Sequence, residues 1–210
     1  MEITLFGASG KTGQILIQQA LELGHKVKAY VRRKEAIQIT HNNLKVIEAQ
    51  LSDKEAIKQA ISGSDLCIST LGCGSLRKRN PEVCKGIENI VEAMKSEGVS
   101  KIIYMSSLGA NESKVYMPQP IRFIVCDLVL RVPLADHNQN ETFIRNSGIK
   151  YTLVRPGGLT DVPLTGVYKA SDEAINIKGK TQISRANVAH FILKEAEENN
   201  YENKAVWMFE

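Results

Sequence analysis

The chain has 210 residues, enough for one α/β domain with a sizeable core. Its 43% hydrophobic and 24% charged content is ordinary for a globular protein, and a formal charge of +4 without basic runs interleaved with aromatics disfavours nucleic acid as a partner. No run of about 18 apolar residues is present, which disfavours a membrane span.

The first strand is expected over Glu2–Phe6. A helix follows over Thr12–Leu23, where Ile15, Leu16, Gln19, Ala20 and Leu23 recur at helical spacing and Gly24 closes the run. Lys26–Val31 and Leu44–Ala49 read as strands. Ser52-Asp53 starts a helix to Ile61, with Glu55 in the acid-favouring first turn. Asp65–Thr70 reads as a buried strand, Pro81 opens a helix to about Ser96, and Lys101–Met105 is the next strand. A long helical stretch precedes the strand Lys150–Val154. Arg185–Glu198 is a final helix and Ala205–Phe209 a closing strand. The irregular part is Ser113–Arg131, with Pro118 and Pro120 ahead of an apolar run from Ile121 to Leu130. It reads first as an ordinary core helix and second as a helix covering an active site or a partner copy.

This alternation predicts a parallel sheet with helices on both faces, because parallel strands need crossover connections. No linker, repeat or low-complexity run divides it, so residues 1–210 form one expected domain. No charged n-region or cleavable apolar segment precedes Ile3. Cys67, Cys73, Cys84 and Cys126 lack CxxC spacing and nearby paired histidines. The expectation is a cytoplasmic protein with reduced thiols and no metal site.

The chemistry begins at Gly7-Ala8-Ser9-Gly10-Lys11-Thr12-Gly13, between the first strand and the first helix. Glycines at such a junction permit a tight turn, close approach of a pyrophosphate, and close packing of helix on strand. The helix N-terminus offers free N–H groups and a positive dipole end to the phosphates. That context predicts a doubly wound, mostly parallel Rossmann fold binding a dinucleotide through Gly7, Ser9, Gly10, Lys11, Thr12 and Gly13. An NAD site places an acid at the end of the second strand; here stand Val31-Arg32-Arg33-Lys34. Arg32 and Arg33 can hold a 2′-phosphate through forked, charge-assisted bonds, so the expected cofactor is NADP(H).

The ends of the fourth and fifth strands line the ligand crevice of such folds. The fourth strand ends in Ser69-Thr70-Leu71-Gly72, whose small residues leave room for adenosine and ribose beside the expected cofactor contacts Leu71 and Gly72, and Ser106 and Ser107 can reach the nicotinamide or an acceptor. A serine that ends a strand also serves as an ordinary turn residue, so the sequence leaves that role open. Arg155-Pro156-Gly157-Gly158 is expected to floor the acceptor pocket, with Pro156 against the cofactor.

These motifs resemble the atypical short-chain dehydrogenases, including the NmrA-like proteins. Asn89–Lys95, Ser147–Tyr151 and Pro163-Leu164-Thr165-Gly166 are similar to the NADPH-dependent flavin reductase (biliverdin-IXβ reductase) family. The resemblance spans nearly the whole chain outside Ser113–Pro133. It implies that Arg32 meets the 2′-phosphate, Ser107 the nicotinamide and substrate, and His137 the substrate pocket. His137 read alone is equally a surface helix histidine. The chain departs from that family at Gly158, where a second pocket histidine stands, and at Gly74, where an arginine stands, with Arg77 and Arg79 only nearby. Tetrapyrrole reduction is therefore disfavoured, while nucleotide binding is untouched.

Typical short-chain dehydrogenases move a proton through Tyr-x-x-x-Lys beyond the fifth-strand serine. Tyr116 is followed at that spacing by Pro120 and Tyr151 by Arg155; Tyr30-x-x-x-Lys34 lies at the 2′-phosphate end. The expectation is an NADPH-dependent reductase of a small planar redox acceptor such as a flavin or quinone. Ser107 and His137 would be its catalytic residues, the C-terminal part would form the acceptor pocket, and the chain would be a monomer or weak homodimer. The alternative is an NmrA-like NADP(H) sensor without turnover.

Overall fold

The computed structural model describes residues 1–72, 74–117, 119–120, 122–173 and 181–210. Cys73, Pro118 and Ile121, which figured in the sequence reading, lie outside the described residues.

Strand β1 (Glu2–Phe6) lies at the centre of the sheet because its residues are apolar on both faces. Ile3 and Leu5 point to one core and Phe6 to the other. Helix α1 (Lys11–Glu22) follows, and Gly24 closes it with φ +78°. Then come β2 (Lys26–Val31), β3 (Leu44–Glu48), α2 (Lys54–Ile61), β4 (Leu66–Ser69) and α3 (Pro81–Glu97). Asp53 caps α2 by accepting from Ala56 N, and Asn80 caps α3 by accepting from Val83 N. The chain continues through β5 (Lys101–Met105), α4 (Arg131–Asn146), β6 (Lys150–Pro156), β7 (Gly158–Thr160), β8 (Lys169–Ser171), β9 (Gln182–Ser184), α5 (Arg185–Glu198) and β10 (Lys204–Phe209).

The eight-stranded sheet runs β3-β2-β1-β4-β5-β6-β10-β8 and is parallel except at β8, which pairs antiparallel with β10. Helices α1 and α5 pack on one face over Leu16, Ile17, Ala20, Val188 and Ile192. The other face holds Ile57, Ile87, Ile90, Tyr104 and Ile144 beneath α2, α3 and α4. This is the single-domain, doubly wound α/β fold that the alternation predicted. Its strand order reverses between β1 and β4, which places the ligand crevice at their carboxyl ends.

Two regions differ from expectation. Ser113–Arg131 is not an ordinary core helix. A 3-10 helix (Asn111–Tyr116) and a π-helical stretch (Phe123–Val129) occupy it, and the stretch turns Phe123, Ile124, Leu128 and Val129 outward while burying Cys126. The crowding is at Gly109, with φ +96°, where a Cβ would come 2.7 Å from Cys126 Sγ. The short strands β7, β8 and β9 were not predicted, since three residues are too few for an alternation to declare itself.

Candidate functional site

The glycine turn is built as a cradle. Gly7 has φ +82°, and a Cβ there would lie 2.7 Å from Thr70 C and 2.8 Å from Leu71 N. Only glycine lets the end of β1 come so close to the end of β4. Thr70 fastens that approach, its N–H donating to Phe6 O at 2.9 Å and its hydroxyl to Gly7 O at 3.1 Å. At Gly13 a Cβ would stand 2.4 Å from Gly7 O and 2.8 Å from Ala8 Cα, so this glycine seats α1 against the turn. Gly10 is different. It is the N-cap of α1 at φ −73° and ψ 161°, a backbone any residue adopts, and a Cβ would meet only Gly7 O at 3.3 Å.

The N-terminus of α1 has no side-chain cap. Its first-turn N–H groups, on Lys11, Thr12 and Gly13, have no carbonyl within the helix to bond. A bound pyrophosphate fits that donor set, because anions satisfy uncapped helix N-termini. Lys11 and Ser9 are exposed beside it, whereas Thr12 is 5% exposed and supplies its backbone more readily than its hydroxyl.

Next to the cradle lies a cleft of ≈ 350 Å³. Gly7, Ser9, Arg32, Leu71 and Gly72 line it together with Tyr30, the Ala49–Ser52 turn and the start of α3. Arg32 and Arg33 are exposed, and among the described residues no carboxylate is paired with either. The nearest acid in the sheet register is Glu48, beside Val31, and its carboxylate accepts from Lys34 N at 3.1 Å. It caps the turn after β2. Tyr30 donates its hydroxyl proton to Gln50 O at 2.8 Å, and burial, reinforced by Asp53, pushes its pKa up to about 12. Tyr30 is thus part of the cleft wall, with its hydroxyl proton committed to a backbone carbonyl, and Lys34 is not among the residues lining the cleft.

The residues expected at the nicotinamide and acceptor follow β5, end β6 and stand on α4, and none of Ser106, Ser107, Pro156 and His137 lines that cleft. Ser106 is buried, its hydroxyl without a hydrogen bond of good geometry but near enough to Glu141 to help hold that carboxylate ionised. Ser107 is half-buried, and its hydroxyl turns back to Leu108 O at 3.2 Å. Pro156 ends β6 and accepts from Leu108 N at 2.9 Å. His137, on α4, is 9% exposed, so it is no surface histidine. Its Nδ1 lies 2.9 Å from the Tyr104 hydroxyl, and Asn140 Nδ2 donates to the same oxygen at 3.0 Å. The Tyr104 proton is therefore directed at Nδ1, which leaves the His137 proton on Nε2. Burial lowers the His137 pKa against the opposing pull of Glu141 and Asp136. Near neutral pH His137 is an uncharged hydrogen-bond donor.

Of the turn expected to floor an acceptor pocket, Arg155 turns its side chain into the interior. It is fully buried, and its guanidinium forks onto Glu141, with Nε to Oε1 at 2.9 Å and Nη2 to Oε2 at 2.5 Å. It also meets Glu112 at 3.0 and 3.1 Å. Gly157 belongs to a strand junction, where a Cβ would fall 1.9 Å from Thr181 O. The Pro163-Leu164-Thr165-Gly166 run, with Asp161 ahead of it, is a folded loop against α5. Asp161 accepts from Lys11 at 2.9 Å and Arg185 at 2.5 Å, while Asn187 Oδ1 receives the N–H groups of Thr165 and Gly166. Sequence reasoning missed Tyr104, Asn140, Glu141, Glu112 and Asn187. A signal existed for some of them: Arg155 interrupts the apolar β6, and α4 carries Asp136, His137, Asn140 and Glu141 at core-facing spacing.

Comparison with known proteins agrees with this geometry. The chain matches the NAD(P)H-binding family over residues 7–199. It is 30% identical over 199 residues to an uncharacterised chloroplastic protein of Arabidopsis thaliana, covering 90% of this chain and 69% of that protein. An uncharacterised sugar epimerase of Bacillus subtilis is 26% identical, covering 98% and 92%. Among solved structures, an anaerobilin reductase from Escherichia coli O157:H7 aligns with a TM-score of 0.80 at 23% identity, over 100% of this chain and 97% of the other. A short-chain dehydrogenase/reductase from Veillonella parvula in complex with NADP aligns with a TM-score of 0.81 at 20% identity, over 100% and 94%. At these identities the two structures speak for the fold. Among the described residues no helix is long and apolar enough to cross a membrane.

Proposed function

The chain belongs to the NAD(P)H-binding family, and from that premise we propose that it is an NADPH-dependent reductase of a small planar acceptor such as a flavin or quinone. The observation that carries the cofactor half is the uncapped α1 N-terminus opening beside a cleft whose β2 end bears Arg32 and Arg33 in place of an acid. Lys11, Thr12 and Gly13 hold the pyrophosphate through backbone N–H groups, and Arg32 with Arg33 holds the 2′-phosphate. Bound NADPH supplies the hydride.

The acceptor half rests on Ser107, Pro156 and His137. Ser107 orients the reacting rings, and His137 offers Nε2–H as a fixed donor. No residue of this chain is required to deliver a proton, because flavins and quinones take hydride directly and draw the accompanying proton from water. The work of the protein is to hold two planar rings in register.

The test is purified protein with NADPH and either FMN or a simple quinone, followed at the nicotinamide absorbance. Saturable oxidation of NADPH with either acceptor supports the reading. Tight NADPH binding without turnover of either replaces it with an NADP(H) sensor.

A further inference from the structure

Ser107 stands on a loop, yet the proposed role demands that it be held as firmly as a strand residue. The loop extends the β5–β6 ladder past Met105: Ser106 N donates to Val154 O at 2.7 Å and Leu108 N to Pro156 O at 2.9 Å. Between those two acceptors in sequence stands Arg155. Its backbone neighbours grip the outgoing arm of the loop, and its side chain grips the returning arm at Glu112. The return is tied further by Asn111, at φ 45°, whose N–H donates to Asn138 Oδ1 at 2.7 Å and whose side-chain amide donates to Glu141 Oε2 at 2.6 Å.

The charges close on themselves. Arg155 and Arg145 meet Glu141 and Glu112, and Arg145 Nη2 reaches Glu112 Oε1 at 2.7 Å. Arg155 and Glu141 are fully buried. Burial opposes ionisation of both carboxylates, but the Arg155 bonds outweigh it, lowering the Glu141 pKa and bringing Glu112 down to about 2. A buried ion pair is a poor source of stability compared with apolar packing in the same volume. Its distinctive product here is geometry, since a fork fixes both direction and distance.

We propose that Arg155 is a positioning residue which, through Glu112 and Glu141, clamps the loop after β5 and so places Ser107 at the nicotinamide end of the crevice. This rests on the reductase reading for what Ser107 does, and on the contacts above for how it is held.

Arg155→Met leaves Glu141 buried and uncompensated, so it tests folding as much as placement. Glu112→Ala is the sharper variant, because Glu112 is half-exposed and its loss leaves the Arg155–Glu141 fork in place. Amide hydrogen exchange is measured in the NADP⁺ complex for wild type and Glu112→Ala, with NADP⁺ affinity by calorimetry and the emission of bound NADPH. Exchange at Leu108 and Ala110 should accelerate about tenfold or more while Leu5 and Ile68 in the core change less than about twofold. NADP⁺ affinity, set at the distant phosphates, should stay within about threefold, and the nicotinamide emission should shift. Unchanged exchange at Leu108 and Ala110 overturns the clamp. Equal acceleration at Leu5 and Ile68 also overturns it, since that reports general destabilisation. A wild type that turns over no acceptor removes the reductase reading, and the exchange comparison still decides whether the clamp exists.

Discussion

Replacing Gly10 by alanine separates the phosphate site from the fold. At φ −73° and ψ 161° the backbone accepts alanine, and the new Cβ meets one atom, Gly7 O, at 3.3 Å. A few tenths of an ångström of relaxation relieve that contact, while the lower entropy of the unfolded chain contributes about 0.4–1 kcal/mol in the opposite direction. The melting temperature should therefore stay close to that of wild type. The methyl group, however, sits on the N-cap of α1, next to the first-turn N–H groups proposed to hold the pyrophosphate. Losing one charge-assisted hydrogen bond there costs about 1.5–3 kcal/mol, roughly tenfold to a hundredfold in affinity. Gly13→Ala should behave in reverse order. Its Cβ would overlap Gly7 O at 2.4 Å and Ala8 Cα at 2.8 Å, both backbone, so the turn itself must move. Overpacking of that kind costs about 1–3 kcal/mol, and a chain of this size loses about 2–4 °C in melting temperature per kcal/mol. Calorimetric titration with NADP⁺ and a thermal melt read both variants. A Gly10→Ala protein that melts like wild type and binds NADP⁺ within about twofold would falsify the placement of the phosphates.

Arg32→Ala should weaken NADPH about tenfold to a hundredfold and leave NADH nearly unchanged, as read by parallel titrations; equal weakening of both removes the 2′-phosphate assignment. Ser107→Ala should lower acceptor turnover about tenfold or more with NADPH affinity unchanged, since ring alignment is lost and the phosphates are held elsewhere. Ser106→Ala should alter the thermal melt instead, because Ser106 is buried beside Glu141; turnover sensitivity at Ser106 with none at Ser107 would shift the site by one residue. Acid unfolding tests the clamp from another side. The folded pKa of Glu112 is depressed to about 2 from an ordinary 4.5, so its contribution to stability is complete above the unfolded value and is lost as pH falls through the folded one. Circular dichroism should show wild type losing stability more steeply between those two values than Glu112→Gln; parallel acid curves would mean that the Glu112 ion pairs add nothing.

How much of this was legible in the sequence depended on whether a residue's role is local or tertiary. The turn Gly7–Gly13 declares itself because its three glycines stand in one seven-residue run between a strand and a helix, although what Gly7 approaches, Thr70 and Leu71, lies in a distant strand end. The same holds for Asp53 as a cap, and for the strands and helices whose period is long enough to count. The acceptor half is different in kind. Ser107 and Pro156 are far apart in sequence, and nothing near either says that they are joined through Leu108 N. His137 read alone could be a surface residue, and what buries it is Tyr104, thirty-three positions earlier, with Asn140 on the same oxygen. The stretch Ser113–Arg131 misled for a related reason. Its apolar run matches a core helix in composition, but of the described residues of that run only Cys126 joins the buried cluster of Leu108, Met117, Leu134, Trp207 and Phe209, with Val125 and Leu130 partly buried against it, while Phe123 and Leu128 face outward. Arg155 is the instructive case. A fully buried arginine in an apolar strand violates the local pattern, and such a violation is visible from sequence even when its partners are not. Because an uncompensated charge cannot stay buried, Arg155 required carboxylates somewhere in the fold, and α4 offered Glu141 on its inward face, four residues after His137. The residue that breaks the pattern therefore points to where the loop carrying the proposed chemistry is anchored.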